Sequence, residues 1–250
     1  MSDHRAADRE EERDFLAAYD PTAFDRPSLA VDVAILAVVD GALEAALVER
    51  TEHPDKGRWG LPGGFVGMGE SLERAAKRVL SEKAGLADVY LEQLYTFGEP
   101  GRDPRTRVIS VGYYALVAHA RLGRGDESNL VFGRIVVPWE GETGGPIQAR
   151  NQQGQDMPLA FDHADILGMA VKRIRGKLDY TPIGFQLLAE TFTLRRLQDV
   201  HETILGRTLN KDSFRRRMLA SGLLEATGER ETEVGHRPAE LYRFTKRSAI

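Results

Sequence analysis

Between Trp59 and Leu86 the chain reads WGLPGGFVGMGESLERAAKRVLSEKAGL, a strand, a glycine-rich turn and a helix in succession. Gly63 and Gly64 let the backbone turn tightly or come close to a ligand. Glu70 follows, and a helix predicted over Ser71–Lys83 carries Arg78 and Glu82 before Gly85, the residue type that commonly closes a helix. Positions 79, 82 and 83 are three and four apart, so they share one helix face. A face of carboxylates there would suit Mg²⁺, which takes hard oxygen ligands and needs negative charge concentrated on a short stretch. This chain instead offers Val79, Glu82 and Lys83, a trio of zero formal charge in which an ammonium competes with the metal for the one carboxylate.

The order Gly-x5-Glu-x7-Arg-Val-Leu-Ser-Glu-Lys-Ala-Gly-Leu resembles the Nudix box, G-x5-E-x7-R-E-U-x-E-E-x-G-U with U aliphatic. Two of its three clustered glutamates are replaced, by Val79 and Lys83. The resemblance implies a Nudix fold that still binds a nucleotide, and the replacements imply that metal-dependent hydrolysis is lost, with no catalytic residue and no metal ligand assigned. The plainer reading, a generic turn with no ligand role, accounts for a lone Gly-Gly but not for the spacing from Leu61 to Leu86.

At 250 residues the chain is long enough for two domains of about 100–200 residues each. An apolar fraction of 42% supports a packed core. No apolar run reaches the length of a membrane-spanning helix, and MSDHRAADREEERDF has no apolar stretch of the signal-peptide kind. The chain has no cysteine, which removes disulfides, thiolate nucleophiles and cysteine-ligated zinc. A soluble cytoplasmic protein with no membrane partner is the expectation. The net charge of −4 divides unevenly: Ala170–Ile250 holds 16 Lys+Arg against 10 Asp+Glu, a balance of +6 on an acidic remainder. A basic C-terminal third calls for an anionic partner.

In chain order, residues 1–24 read as a polar, mostly acidic arm with at most a turn or two of helix. Ser28–Val39 (SLAVDVAILAVV) reads as a buried strand, and Asp40-Gly41 as the hairpin turn to a second strand through Ala46, Leu47 and Val48. Val89–Phe97 and Val108–Val117 add two more, joined by GEPGRDPRTR. Gly141–Met157 reads as a flexible loop. Asp162–Lys177 is predicted as an amphipathic linker helix. His163 and Asp165 at its start read as satisfied polar residues rather than metal ligands. Residues 25–160 therefore form the Nudix-like unit and 161–180 the linker helix.

Residues 181–250 follow another logic. Ile183–Ala189 is a short apolar helix, and Thr191–Leu205 a second with Thr193 as its cap. Asn210 caps a third over Lys211–Ala220, where Phe214 and Met218 face inward. Asp212, Ser213 and Arg216 project opposite them, flanked by Arg215 and Arg217. Leu223–Ala226 and Leu241–Phe244 read as strands around a polar loop. Helix, helix, turn, helix and hairpin is the layout of a winged helix-turn-helix, whose second helix reads guanine edges with arginine while helix starts and wing meet phosphates. The predicted DNA-binding set is Thr193, Asn210, Lys211, Ser213, Arg215, Arg216, Arg217, His236 and Arg237, the last two on the wing. A charged solvated helix, or a protein-binding winged helix, is the plainer alternative.

GRWGLPGGFV, the altered box, VISVGYYAL, LAFDHADIL, LNKDSFRRRML and GHRPAELYRF together resemble the NrtR family of Nudix-related transcriptional regulators, from about Ser28 to Phe244. The resemblance implies an α/β (α+β) fold, a Nudix α/β/α sandwich followed by a winged helix-turn-helix. It also implies a homodimeric repressor of NAD biosynthesis or salvage genes that binds double-stranded operator DNA. ADP-ribose or a related NAD-derived nucleotide is the implied effector, with no cofactor required. The predicted effector site comprises Arg50, Trp59, Gly63, Gly64, Phe65, Glu70, Arg78, Glu82, Lys83, Arg102 and Arg107; Arg105 is assigned to a solvated turn. The competing readings are an active hydrolase of ADP-ribose or a sugar nucleotide, a Nudix-type regulator of sugar catabolism, and a scaffold that does not bind DNA.

Overall fold

The computed structural model describes residues 2–122, 129–178, 181–232, 235 and 237–245. Strand β1 (Ser28–Val39) is a run rich in valine, alanine, isoleucine and leucine, and it turns through Asp40-Gly41 into β2 (Ala42–Glu49). Asp40 and Gly41 both take positive φ, 46° and 76°, as a two-residue hairpin loop requires. Short strands β3 (Trp59–Gly60) and β4 (Gly63–Phe65) pair with β2 and β1. Helix α2 (Leu72–Ala84), β5 (Tyr90–Phe97), β6 (Val108–Leu116), β7 (Leu130–Val136) and β8 (Gln148–Arg150) follow. The sheet order is β5-β6-β1-β2-β7-β8, with β1 and β6 parallel and the other neighbours antiparallel.

Alternation along β1 divides its side chains between two layers. Val31, Val33 and Ile35 pack on Ala75, Ala76, Val79 and Leu80 of α2. Ala34 and Leu36 pack on Ile166, Leu167, Ala170 and Ile174 of α3 (His163–Lys177). The sheet therefore lies between two helices, as the α/β/α expectation has it. Helix α2 begins where Ser71 Oγ accepts from the Arg74 N–H at 3.3 Å and ends at Gly85, whose φ of 60° is left-handed.

The C-terminal part holds a six-residue 3₁₀ segment (Pro182–Leu187), β9 (Thr191–Phe192), α4 (Leu194–Leu205), α5 (Lys211–Ala220), β10 (Leu224–Arg230) and β11 (Glu240–Phe244). The three strands form a sheet ordered β10-β11-β9. Its own core joins Phe185, Phe192, Leu197, Phe214, Met218, Tyr242 and Phe244, with Phe185 stacked on Phe244 at 4.4 Å. Helix α4 buries a second set, Val200 and Ile204, in the same core as Leu36 and α3. The buried Arg175 of α3 reinforces the junction: its Nε donates to the Ile204 carbonyl at 2.8 Å and its Nη1 to the Gly141 carbonyl at 3.0 Å.

Three expectations need correction. The polar arm is helical: α1 runs Ser2–Ala18, because its alanines, glutamates and arginines favour helix on local propensity alone. The stretch 141–157 is not wholly loop, since β8 adds an edge strand to β7 and buries Ile147, Ala149 and Met157. The short helix expected over Ile183–Ala189 is the 3₁₀ segment, entered through Pro182 and ending at Leu187.

Candidate functional site

A cleft of about 380 Å³ opens beside the starts of β1 and α3. Its floor is a buried ionic network. Asp32 shares the α3-facing side of β1 with Ala34 and Leu36, and its Oδ2 accepts from Ser110 Oγ at 2.6 Å and from Arg102 Nη2 at 3.5 Å. Arg102, whose side chain is only 5% exposed, also donates to both oxygens of Asp162, from Nη2 at 2.6 Å and Nε at 2.8 Å. Burial opposes the Arg102 charge, but the hydrogen bond and charge of Asp162, with the charges of Asp32 and Asp103, outweigh it and hold the guanidinium above its usual pKa. At the first residue of α3, His163 Nδ1 accepts from the Leu61 N–H at 2.8 Å, and Nε2 lies 3.8 Å from Asp32 Oδ1. Burial pushes the His163 pKa down, so the imidazole is neutral at physiological pH. Gly63 is required by this floor, because a Cβ there would meet the Asp32 carboxylate and stand 2.8 Å from the Val31 carbonyl.

The structure brings some of the predicted effector residues to the cleft and not others. Arg50, Gly63, Gly64, Phe65, Lys83 and Arg102 line it. Trp59 is half-buried against the core behind the cleft, its backbone paired with Glu49. Arg107 points away, its Nη1 donating to the Glu99 and Val108 carbonyls at 3.3 and 3.4 Å. Its place is taken by Arg105, anchored on Asp103 at 2.7 Å. Glu70, Arg78 and Glu82 form a brace outside the cleft. Arg78 Nη2 and Nε donate to the two Glu70 oxygens at 2.6 and 3.1 Å, Nη2 also reaches the Phe65 carbonyl, and Nη1 meets Glu82 at 3.4 Å. With the Gly67 N–H also on Oε1 at 2.7 Å, Arg78 holds the Glu70 carboxyl at about 2.

These residues do not fit the divalent metal that a Nudix fold implies. Both Glu70 oxygens are engaged, Val79 is 1% exposed within the α2 core, and Lys83 puts a cation in the cleft. Among the described residues no three His, Asp or Glu side chains converge as metal ligands.

Sequence reasoning missed Asp32, Asp103 and Phe161. A carboxylate inside the apolar run Ala-Val-Asp-Val-Ala was a legible signal for the first. Phe161 carried none. Its φ of 50° is left-handed, a rare and strained conformation for a bulky residue. Its ring lies 4.6 Å from the Arg50 guanidinium and 5.8 Å from that of Arg105.

The second site is the outer surface of the C-terminal part. Thr193 Oγ caps α4 by accepting from the Arg196 N–H at 3.2 Å, and Asn210 Oδ1 caps α5 by accepting from the Ser213 N–H at 3.0 Å. Phe214 and Met218 are the buried face of α5, which leaves Lys211, Ser213, Arg215, Arg216 and Arg217 exposed. Lys211 and Arg215 share a groove of about 430 Å³ with Thr193, Arg195, Arg230 and Arg237, so helix starts, second helix and wing face one space. Arg216, Arg217 and Ser213 stand outside that groove on the outer surface of α5. His236 lies outside the described residues.

Comparison with known proteins gives the same two halves. Residues 28–140 match the Nudix domain and residues 184–244 the NrtR DNA-binding winged helix domain. The chain is 37% identical over 235 residues to the ADPR responsive transcriptional repressor NtrR of Acinetobacter baylyi, covering 93% of this chain and 88% of that protein. The structure of Shewanella oneidensis NrtR complexed with a 27mer DNA is 36% identical and superposes with a TM-score of 0.71 over 86% of this chain and 93% of that one. The Nudix domain of the same protein complexed with ADP-ribose is 34% identical, with a TM-score of 0.51 over 65% of this chain and 98% of that domain. With that identity across nearly the whole of both sequences, the chain belongs to the NrtR family of Nudix-related transcriptional regulators.

Proposed function

We propose that the protein is a transcriptional repressor whose Nudix cleft senses ADP-ribose or a closely related NAD-derived nucleotide and whose winged helix binds operator DNA. It acts in the cytoplasm as a homodimer on genes of NAD biosynthesis or salvage, and it does not hydrolyse its effector. The observation that carries this reading is the shared core. Cleft residues Asp162 and His163 sit at the start of α3, and the same helix packs on Val200 and Ile204 of α4 next to the DNA-facing surface. An effector that binds one arrangement of α3 better than another therefore biases the spacing of the two recognition helices in a dimer. The loss of hydrolysis is supported by Glu70 being bound to Arg78 and by Val79 and Lys83 standing where a metal needs carboxylates.

The test is fluorescence anisotropy of a labelled fragment from the gene's upstream region, with and without ADP-ribose. Tight, salt-sensitive binding that ADP-ribose weakens is the expected result. Binding no stronger than to random DNA overturns the repressor reading, and metal-dependent turnover of ADP-ribose overturns the loss of hydrolysis.

A further inference from the structure

We propose that the cleft holds the diphosphate of its nucleotide directly on two side-chain cations, Arg50 and Lys83, without a divalent metal between ligand and protein. This rests on the nucleotide reading of the cleft and specifies how that site recognises charge. Four basic side chains line the cleft: Arg50, Lys83, Arg102 and Arg105. Two are already neutralised, Arg102 by Asp162 and Asp32 and Arg105 by Asp103. Arg50 and Lys83 have no ion pair among the described residues. Glu49 and Glu52 also line the cleft, so its lining carries no net positive charge, and what it offers a diphosphate is the side-chain donors of Arg50 and Lys83, which no carboxylate among the described residues pairs.

Arg50 is aimed for this task. Its Nε is used by the Pro54 carbonyl at 2.8 Å, which leaves Nη1 and Nη2 without an acceptor among the described residues. Its planar group lies over the Phe161 ring at 4.6 Å, an arrangement that fixes a guanidinium while leaving its edge free for a phosphate. The ring reaches that place only because Phe161 adopts a φ of 50°, with its N–H held by Asp55 Oδ2 at 2.9 Å. Strain of this kind persists where the surroundings fix it and clusters at functional sites. Phe161 is in this account a positioning residue for Arg50.

Lys83 stands on α2 where the family box has a metal-ligating glutamate, and it carries a compact charge on a flexible stem suited to phosphate. A bound metal would be repelled there, whereas the anion gains the same compensation from the ammonium itself.

The test is isothermal titration of the full-length protein with ADP-ribose, in excess EDTA and again in millimolar Mg²⁺. Equal affinity in both buffers is expected. Lys83→Gln and Arg50→Gln should each weaken binding in EDTA about tenfold to a hundredfold, the range for a charge-assisted contact, with melting temperature unchanged for the exposed Lys83. Phe161→Leu should weaken binding and Phe161→Trp, which keeps a cation-binding ring, should retain most of it. Binding that appears only with Mg²⁺, or unaltered affinity in both charge variants, overturns the proposal while leaving the nucleotide reading intact. No binding in either buffer removes the nucleotide reading and this inference with it.

Discussion

In the cleft, Arg102 is 5% exposed with Asp162 at 2.6 Å and Asp32 at 3.5 Å, whereas Lys211, Arg215 and Arg216 stand exposed on α5 with no ion pair among the described residues. Both regions face phosphate in the reading given above, yet they commit their cations in opposite ways. Cleft arginines are largely spent on carboxylates and fix the shape of the site. Lys211, Arg215 and Arg216 are held in readiness by a capped, half-buried helix and spend no charge on a carboxylate among the described residues. An enclosed site that binds one small anion has to be rigid and selective. A surface that binds a polyanion gains from counterion release, which needs exposed and uncompensated charge. The same residue type therefore builds structure in one half and supplies affinity in the other, and substitutions should separate the two.

The largest expected effect is on the cleft floor. Arg102→Ala leaves the buried Asp32 and the half-buried Asp162 without their cation, and breaking such a pair costs about 3–5 kcal/mol. Thermal unfolding should show a large fall in melting temperature. A melting temperature equal to that of the parent would mean the network is solvated, and the contrast with α5 would lose its basis.

Arg216→Ala should do the reverse. A guanine-reading arginine is worth about 1–3 kcal/mol, so operator affinity should drop roughly tenfold to a hundredfold with melting temperature and ADP-ribose affinity unchanged. If Arg216 meets a phosphate instead, binding weakens on all sequences and the slope of log affinity against log salt falls by about 1. Concurrent loss of ADP-ribose binding would show that the two regions are not separable in the way proposed.

How much of this was legible in the sequence follows from how local each cause is. The helix caps Thr193 and Asn210 were readable because a cap is a contact between a side chain and an N–H three residues on. The strand Ser28–Val39 and its Asp-Gly turn were readable from apolar run and turn chemistry. The cleft was readable only in part: Arg50, Gly63, Gly64, Phe65, Lys83 and Arg102 line it, but its ionic floor joins distant residues, since Arg102 meets Asp162 sixty positions later and Asp32 seventy earlier. Arg105 and Arg107 look alike in a proline-rich loop, and only the fold turns one inward to Asp103 and the other to backbone carbonyls. Edge strand β8 is polar and short, so periodicity had nothing to register.

A smaller effect belongs to the helix that carries the exposed arginines. Asn210→Ala removes the acceptor for the Ser213 N–H, and loss of such a cap costs about 1 kcal/mol. Denaturant unfolding should detect this as a modest shift in midpoint. Operator affinity should fall less than in Arg216→Ala, since the cap orders the helix without reading a base. A larger loss of affinity than Arg216→Ala gives would make Asn210 itself a DNA contact.

The smallest effect tests whether Glu70 belongs to structure or to the site. Arg78, helped by the Gly67 N–H, lowers the Glu70 carboxyl from 4.5 to about 2. A carboxyl depressed on folding stabilises the protein fully above its unfolded pKa, and that contribution fades as pH falls through the folded value. The stability gap between the parent and Glu70→Gln should thus be constant above about pH 5, shrink between about 4.5 and 2, and vanish below. Urea midpoints measured across that window read the gap directly. ADP-ribose affinity at neutral pH should be the same in both proteins, because the brace lies outside the cleft. A gap that persists unchanged to pH 3 would mean that Arg78 does not hold the carboxylate. A Mg²⁺-dependent loss of ADP-ribose binding in Glu70→Gln would place Glu70 in the site after all, and with it a metal among the cleft's cations.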